Sequence, residues 1–353
     1  MNTLLTARSP APVASPRRRA ALAVLLASTL ATALALGLAP QAASAQAKPK
    51  IVLSVAPTVL SAPFFIAKEK GYFEAAGLDV TVDTSLQNMA DNLPLLAAGH
   101  YTIVGTSWGT SVFNALSKGT LIRVLATQAT MPASGKTPFS LMMSAKAWEQ
   151  GDKTVASLKG KKVGIIGRGG FAEYDVVSAV TAAGLKADDV ELVLMGRNDV
   201  GPAISNGAIA AGWGAEPVPT LFAKKGLVKN LTNEAMRGRG AIVFLVNADF
   251  VKEHPDAAAT FLSVFYKTAK EFDATGWDDP QSLEIVSKHT KLSPEMLKSI
   301  RFAIAPTTLE PDFKLASEME AYFGEKKLLI YPGKLKFADY YSPAITRKAL
   351  AGQ

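Results

Sequence analysis

A serine between two glycines is the feature of this sequence that most resembles a catalytic site. Residues 105–109 read Gly-Thr-Ser-Trp-Gly, which fits the G-x-S-x-G pattern of a hydrolase nucleophile elbow. Such a serine needs a histidine base and an orienting acid later in the chain, and Asp249 with His254 or His289 would have to supply them. His254 precedes a proline, His289 lies in a polar helical stretch, and no glycine-rich oxyanion segment precedes the serine.

The same five residues have a non-catalytic interpretation, which we favour. They follow an apolar run and precede a helical segment, so Ser107 and Trp108 would lie where a strand ends. There they would offer a bound solute a hydroxyl, free N–H groups and an aromatic wall. The remaining alternative is a turn of small residues with Trp108 in the core.

A glycine-rich segment, Gly167-Arg168-Gly169-Gly170-Phe171, also follows a strand and precedes a helix. Glycines allow close approach of the backbone to a ligand, and a helix N-terminus favours an anion. Arg168 could bind a carboxylate or sulfonate in bidentate fashion or face solvent, and Phe171 could stack on a ligand or pack beneath the loop. The segment fits neither a dinucleotide-binding nor a Walker pattern, so a nucleotide site is not expected.

Four polar residues in the first half of the chain are further candidate ligand contacts. Ser61 precedes Pro63 and is expected to cap a helix. The start of this helix would face the ligand site. Gln87 and Asn88 open a second helical segment and could donate their amides to a ligand. Gln128 ends a strand and is a candidate hinge or ligand residue.

Two residues of the second half complete the candidate set. Trp213 ends a strand and would form either a wall of the site or part of the core. Glu216 begins a helix, where an acid more often caps the helix than accepts from a ligand. The three histidines have no metal-ligand spacing and the chain has no cysteine, so no metal or cofactor is expected.

The N-terminus has the three parts of an export signal. Arg8 and Arg17–Arg19 form a basic leader, residues 20–39 are apolar, and Ala43-Ser44-Ala45 is a small-residue cleavage pattern. We therefore predict a signal peptide over residues 1–45, cleaved after Ala45, and a periplasmic location. A retained membrane anchor is the alternative, because the apolar run approaches the length of a bilayer span.

Composition excludes several classes of protein. The 353 residues include 38 Lys+Arg and 30 Asp+Glu, a formal charge of +8, and removal of the leader with its four arginines lowers this to +4. The remaining basic residues are scattered among acids, so nucleic-acid binding is not expected. The absence of cysteine excludes disulfides, thiolate metal sites, a cysteine nucleophile and a lipid-anchored N-terminus.

The mature chain alternates short apolar runs with helical segments, which indicates βαβ units and largely parallel sheets. Strands are predicted at 51–55, 78–82, 101–104, 121–126, 139–143, 162–166, 190–195, 209–213 and 241–246. Breaks at 131–138 and 237–240 separate two such series, and a helical tail follows. We predict an α/β fold with lobe 1 formed by 46–130 and 241–353, lobe 2 formed by 137–237, two hinge crossings and a cleft at the strand ends.

Five motifs in fixed order lead to a family. They are Pro63-x-x-x-Ala67-x-x-x-Gly71-Tyr72-Phe73-x-x-x-Gly77-Leu78-x-Val80, Ser157-Leu158-Lys159-Gly160-Lys161-Lys162-Val163-Gly164, Gly184-Leu185 with Asp188-Asp189-Val190, Gly207-x-Ile209-x-Ala211 with Glu216-Pro217, and His254-Pro255-Asp256. Their order and spacing over residues 50–345 resemble the periplasmic substrate-binding proteins of ABC importers, in the nitrate, sulfonate and taurine group. Thr102 and Ala210 stand where that family commonly has aspartates, a departure that concerns the ligand more than the fold.

The resemblance implies a fold and a function. The fold is the two-lobed periplasmic-binding-protein fold of type II, with two mostly parallel sheets flanked by helices. The function is capture of a small anionic or aromatic solute by hinge closure and delivery to an inner-membrane ABC permease with its ATPase, by a monomer without enzymatic activity. The family's fold also occurs in binders of pyrimidine precursors of thiamine, which is an alternative, and in a pyrimidine-synthesising enzyme with an essential cysteine cluster, which the absence of cysteine excludes.

Overall fold

The computed structural model describes residues 48–85 and 91–352. The predicted signal peptide and the candidate residues Gln87 and Asn88 lie outside the described residues. No described helix is both long and apolar enough to cross a bilayer.

The described strands are β1 (Lys50–Ser54), β2 (Asp79–Asp83), β3 (Ile103–Ser107), β4 (Ile122–Ala129), β5 (Phe139–Ser144), β6 (Lys162–Ile165), β7 (Glu191–Leu194), β8 (Ala211–Ala215), β9 (Val228–Leu231) and β10 (Ile242–Asn247). The described α-helices are α1 (Ala62–Glu69), α2 (Tyr72–Ala75), α3 (Asn92–Ala97), α4 (Thr110–Ser117), α5 (Ala145–Glu149), α6 (Phe171–Ala182), α7 (Val200–Ser205), α8 (Val218–Lys224), α9 (Ala248–Glu253), α10 (Pro255–Glu271), α11 (Pro280–Thr290), α12 (Pro294–Ser299), α13 (Phe313–Glu325) and α14 (Pro343–Ala351).

These strands form two five-stranded sheets within the described residues. The first has the order β2-β1-β3-β10-β4 and the second the order β7-β6-β8-β5-β9. The two orders are equivalent. In the first sheet β1 lies between β2 and β3, and the antiparallel strand β10 separates β3 from β4. In the second sheet β6 lies between β7 and β8, and the antiparallel strand β5 separates β8 from β9. The prediction of two mostly parallel sheets is therefore confirmed, with one antiparallel strand in each.

The two antiparallel strands are the first to follow each passage of the chain between sheets. β5 follows the segment 130–138 and β10 follows the segment 232–241. β5 and β10 begin where the chain has just passed from one sheet to the other, so they run away from the connecting segments. The parallel strands of each sheet run in the opposite direction, toward those segments. The starts of β5 and β10 and the ends of the other central strands therefore meet at one edge, where open α/β sheets bind ligands.

The tail returns to the first sheet, as its order in the sequence suggested. Phe261 and Phe265 of α10 are fully buried and pack around Phe64 of α1, with ring centroids 6.1 and 5.0 Å from it. Phe244 of β10 meets the same ring edge-on at 5.6 Å. This aromatic cluster fixes α1 and α10 against the sheet, since each buried aromatic ring contributes a large apolar area.

Candidate functional site

One cavity of about 460 Å³ lies where the two sheets present their strand ends. It is lined by the last residues of β3 and β8, by the first residues of β5 and β10, and by the loop after β6. All ten described candidate residues line it, namely Ser61, Ser107, Trp108, Gln128, Arg168, Gly169, Gly170, Phe171, Trp213 and Glu216. Residues far apart in sequence thus form one site because both sheets direct their strand ends to it.

Two helix N-termini, one beside each sheet, open onto this cavity. α4 begins after Gly109 and α6 begins after Gly170. The first-turn N–H groups of a helix have no acceptor within the helix, and those of Ser111 and Ala172, which line the cavity, make no backbone hydrogen bond among the described residues. Free N–H donors at the positive end of a helix dipole favour an anion.

The two parts of the chain touch directly beside these N-termini. The backbone N–H of Thr110 donates to the carbonyl of Gly169 at 2.8 Å. An added Cβ at Gly109 would lie 2.9 Å from that carbonyl oxygen, and one at Gly169 would collide with the Thr110 side chain. Gly169 also has φ +69°, a left-handed conformation that glycine adopts without strain.

The buried carboxylate of Glu173 holds the loop that carries Gly169. It accepts from the Gly169 N–H at 2.8 Å and from the Tyr322 hydroxyl at 3.0 Å. Arg168 lies 3.7 Å from the same carboxylate and donates to the Leu192 carbonyl at 2.9 Å. The guanidinium of Arg168 is therefore engaged within the loop, and its role as the main anion contact stays a prediction.

Three aromatic residues form a wall on one side of the cavity. The rings of Phe139 and Trp213 stack with centroids 5.0 Å apart at 26°, and Phe171 packs against Phe139 at 5.3 Å. The Trp213 indole N–H donates to Asp175 at 2.8 Å, and Asn233 donates to the same carboxylate at 2.8 Å. Burial raises the pKa of Asp175, while these two hydrogen bonds oppose the rise. Trp213 is thus part of both the wall and the buried packing.

Trp108 and Gln128 line the cavity from buried positions. Trp108 is fully buried, packs against Phe113 and Phe337, and its Nε1 has no hydrogen-bond partner. Both the wall and the core interpretations of Trp108 therefore describe part of its environment. Gln128 is 4% exposed, its Oε1 also lacks a partner, and the amide packs against Gly105, where a Cβ would collide with it.

Ser107 has no histidine beside it. Among the described residues that line the cavity none is a histidine. His289 instead stacks on Phe65 with centroids 4.3 Å apart and contacts Glu69 at 3.0 Å, and His254 lies against Phe250. The geometry gives no support to a serine nucleophile. Within the described residues no group of three acidic or histidine side chains is placed to hold a metal ion.

The expected helix cap at Ser61 was wrong. Its hydroxyl donates to the Ala56 carbonyl at 2.7 Å and makes no bond to the helix N–H groups. The reason is local, since the segment before α1 folds back and brings that carbonyl within reach. Glu216 behaves as the sequence favoured, because it accepts from the Thr220 N–H at 3.3 Å and hydroxyl at 2.9 Å at the start of α8. Burial raises the pKa of Glu216.

Of the lining residues that were not predicted from the sequence, Phe139 and Arg197 matter most for a ligand. Phe139 begins β5, and its contact with Trp213 depends on an antiparallel pairing that periodicity does not show. Arg197 lies in the loop after β7, lines the cavity, and forms no ion pair or hydrogen bond with any described residue. Arg197 is exposed, and partial desolvation of its guanidinium at the cavity lowers its pKa below the usual range. Arg197 lies three residues beyond the end of β7, and this position near a strand end is the sequence feature that could have identified it as a candidate ligand residue.

Comparison with known sequences places the chain in a family. The model of the NMT1/THI5-like family matches residues 59–274. A 4-amino-5-hydroxymethyl-2-methylpyrimidine phosphate synthase of Saccharomyces cerevisiae is 26% identical over 230 residues, 61% of this chain and 64% of the yeast protein. The chain therefore spans slightly less than two thirds of the length of that relative. A putative binding protein of Brucella abortus is 26% identical over 329 residues, 89% of this chain and 98% of that protein.

Comparison with solved structures agrees on the fold. The periplasmic aliphatic sulphonate binding protein SsuA of Escherichia coli superposes with a TM-score of 0.71 at 18% identity, over 83% of this chain and 97% of that one. The periplasmic nitrate-binding protein NrtA of Synechocystis PCC 6803 gives 0.63 at 15% identity, over 86% and 89%. Since the family model spans more than half of the sequence, this chain belongs to the NMT1/THI5-like family, and its fold is that of periplasmic binding proteins.

Proposed function

We propose that this protein is an exported solute-binding protein that captures a small anionic or aromatic solute and delivers it to an ABC importer. One observation carries the proposal: the N-termini of α4 and α6 meet on a single cavity lined from both sheets. A solute bound there would contact both lobes at once. Binding would then favour the closed arrangement in proportion to the solute's preference for it.

The protein performs no chemistry on the solute in this proposal. The polar groups at the cavity are hydrogen-bond donors, a carboxylate and hydroxyls, and no histidine base lies among its described lining residues. Micromolar affinity requires about 8 kcal/mol, which several hydrogen bonds and one stacked ring can supply. We propose residues 46–130 with 241–353 as lobe 1 and residues 137–237 as lobe 2. The hinges would be the two segments that connect the sheets.

The cellular role follows from the family resemblance. The structural relatives that share the fold are named as periplasmic binding proteins for sulfonate and nitrate. We extend this to the present chain as export with cleavage after Ala45, a monomeric periplasmic form, and transfer of the solute to a membrane permease with its ATPase. The intact mass of protein recovered from periplasm should correspond to a chain that begins at Gln46.

A thermal-shift screen of that periplasmic protein tests the solute class. The panel contains alkyl and aryl sulfonates, nitrate, carboxylates and pyrimidines, each at millimolar concentration. At 100 times its Kd a solute stabilises the folded state by about 2.7 kcal/mol, enough for a rise of several degrees in unfolding temperature. If no member of the panel raises it, the proposal is wrong.

A pyrimidine binder is the second candidate. The stacked Phe139 and Trp213 rings suit a flat heterocycle, and the yeast relative is named as a pyrimidine phosphate synthase. The pyrimidine arm of the same screen separates this candidate from the anion binder. A fluorophosphonate probe with the Ser107→Ala variant as control tests the remaining rival, and labelling that depends on Ser107 would favour a hydrolase.

A further inference from the structure

Three independent properties of the cavity restrict which solute it accepts. The first is its volume of about 460 Å³, within the range of pockets that hold ring-containing small molecules. One water occupies about 30 Å³ of the liquid. In the arrangement that the structure describes, a four-atom anion such as nitrate would therefore leave most of this space to water.

The second property is the orientation of the aromatic wall. Trp213, which is 5% exposed, is held by its hydrogen bond to the buried Asp175, and its face stacks on Phe139. Phe171 meets Trp213 nearly at a right angle, at 84°. A wall that is fixed before binding costs little entropy when a flat ring is placed against it, and offset stacking strengthens binding beyond the area that the ring buries.

The third property is the free cation. Arg197 lines the cavity without an ion pair or hydrogen bond among the described residues, whereas Arg168 on the neighbouring loop is engaged by Glu173 and Leu192. An arginine cannot lose its charge at neutral pH. A cation that lines a cavity and forms no ion pair with the protein is a recognition group for an anionic substituent of the solute.

From these properties we infer that the solute is a planar ring that carries an anionic group, with the ring against Phe139 and Trp213 and the anion at Arg197. This inference rests on the proposed function and narrows its solute class. Gln128 also lines the cavity, and its buried Oε1 has no hydrogen-bond partner among the described residues, so it is placed to accept from a polar substituent of the ring. Small aliphatic anions are the class that the cavity disfavours.

Calorimetric titration of the periplasmic protein tests the inference with three matched ligands. Benzenesulfonate carries both ring and charge, ethanesulfonate carries the charge alone, and benzenesulfonamide carries the ring without the full charge. We expect benzenesulfonate to bind at least tenfold more tightly than either of the others. Equal or tighter binding of ethanesulfonate or of the sulfonamide overturns the inference while the proposed function stands.

The variant Arg197→Gln locates the anion. It should weaken benzenesulfonate binding at least tenfold and leave sulfonamide binding within twofold. Arg347→Gln is the matched control, since Arg347 lies on α14 outside the cavity and is exposed. Equal affinity of the two variants for benzenesulfonate overturns the placement. If none of the three ligands nor any member of the broader panel binds, the proposed function itself fails.

Discussion

The indole N–H of Trp213, on β8, donates to Asp175, on α6, at 2.8 Å. The bond joins the aromatic wall of the cavity to the helix whose N-terminus opens onto the same cavity. Asp175 also accepts from Asn233, so its buried carboxylate has two donors from two other segments. Such an arrangement is costly to disturb, because a buried carboxylate that loses a donor keeps its desolvation penalty.

We expect Trp213→Phe to lower the free energy of unfolding by about 1–3 kcal/mol, because it keeps a flat ring and removes the donor to Asp175. In an Asp175→Asn background, Trp213→Phe should lower the free energy of unfolding by a smaller amount, because the buried charge is no longer present. Urea unfolding of both single variants and the double variant measures this coupling. Trp148→Phe is the control, since Trp148 has no described hydrogen bond on its indole. Strict additivity would contradict the role assigned to Asp175.

The contact between Thr110 and Gly169 predicts how a small side chain added at Gly109 would affect closure of the two lobes. Gly109 has extended backbone geometry, so alanine fits its conformation, but the added Cβ would lie 2.9 Å from the Gly169 carbonyl oxygen. We expect Gly109→Ala to weaken solute binding about tenfold by reducing the fraction of closed protein. Gly333→Ala, where a Cβ meets nothing within 4 Å, should bind normally.

Small-angle scattering distinguishes this effect from a local clash with the solute. At saturating solute the Gly109→Ala protein should retain a larger radius of gyration than the Gly333→Ala protein. Identical radii and identical affinities would show that the contact does not limit closure.

The sequence predicted nine of the ten described strands because the pattern of apolar runs is strong. β9 (Val228–Leu231), at the edge of the second sheet, was missed because two of its four residues are exposed and polar. β10 was predicted at 241–246 and is observed at Ile242–Asn247, since nearly every residue in it is buried and apolar. The ten described candidate residues line one cavity for a similar reason, because strand ends and helix starts in this fold are brought to one edge.

The parts that could not be predicted depend on contacts between distant segments. The engagement of Arg168 by Glu173 and Leu192 requires the relative positions of α6 and β7. Arg197 has no ion pair among the described residues although Asp199 lies two positions along the chain, which no local pattern reveals. Likewise, the Ser61 hydroxyl bonds backward to Ala56 because of a fold-back in the chain before α1.

The interactions of Asp279 should make the stability of the fold depend on pH. It caps α11 by accepting from the Ser282 hydroxyl at 2.6 Å and N–H at 3.0 Å, and Lys70, the residue after α1, donates to it at 3.3 Å. The Ser282 hydroxyl bond, with help from Lys70, lowers the pKa of Asp279 to about 2. A carboxyl with a lowered pKa stabilises the fold above its unfolded pKa, near 4, and this contribution is lost as the pH falls toward 2.

Asp279→Asn keeps a capping oxygen and removes the charge. We expect it to lower the free energy of unfolding by less than about 1 kcal/mol at pH 7, since the pair is partly exposed, and to match the wild type near pH 2. Asp279→Ala should cost about 1 kcal/mol more through loss of the cap. Urea midpoints at pH 7, 4 and 2.5 measure both effects, and a wild-type advantage that is constant over this range would contradict the assignment.

Glu216 is the one carboxylate among the described residues that line the cavity. Burial raises its pKa, while hydrogen bonds from Thr220 and the positive charge of Lys136 act in the opposite direction. When ionised it places a negative charge in a cavity that we propose for an anion. Falling pH neutralises this charge and removes a repulsion from the bound solute.

We therefore expect affinity for benzenesulfonate to increase as the pH falls from 8 to 5, by up to about tenfold, because charges several ångströms apart in such a cavity interact by 1–2 kcal/mol. A sulfonate is the suitable probe, since its own charge is constant over this range. Glu216→Gln retains an acceptor for Thr220 and should bind more tightly at pH 8 with a flat pH profile. Benzenesulfonamide should show no dependence below pH 8 with either protein. A wild-type profile that persists in Glu216→Gln would assign the titration to another group and remove Glu216 from the solute's surroundings.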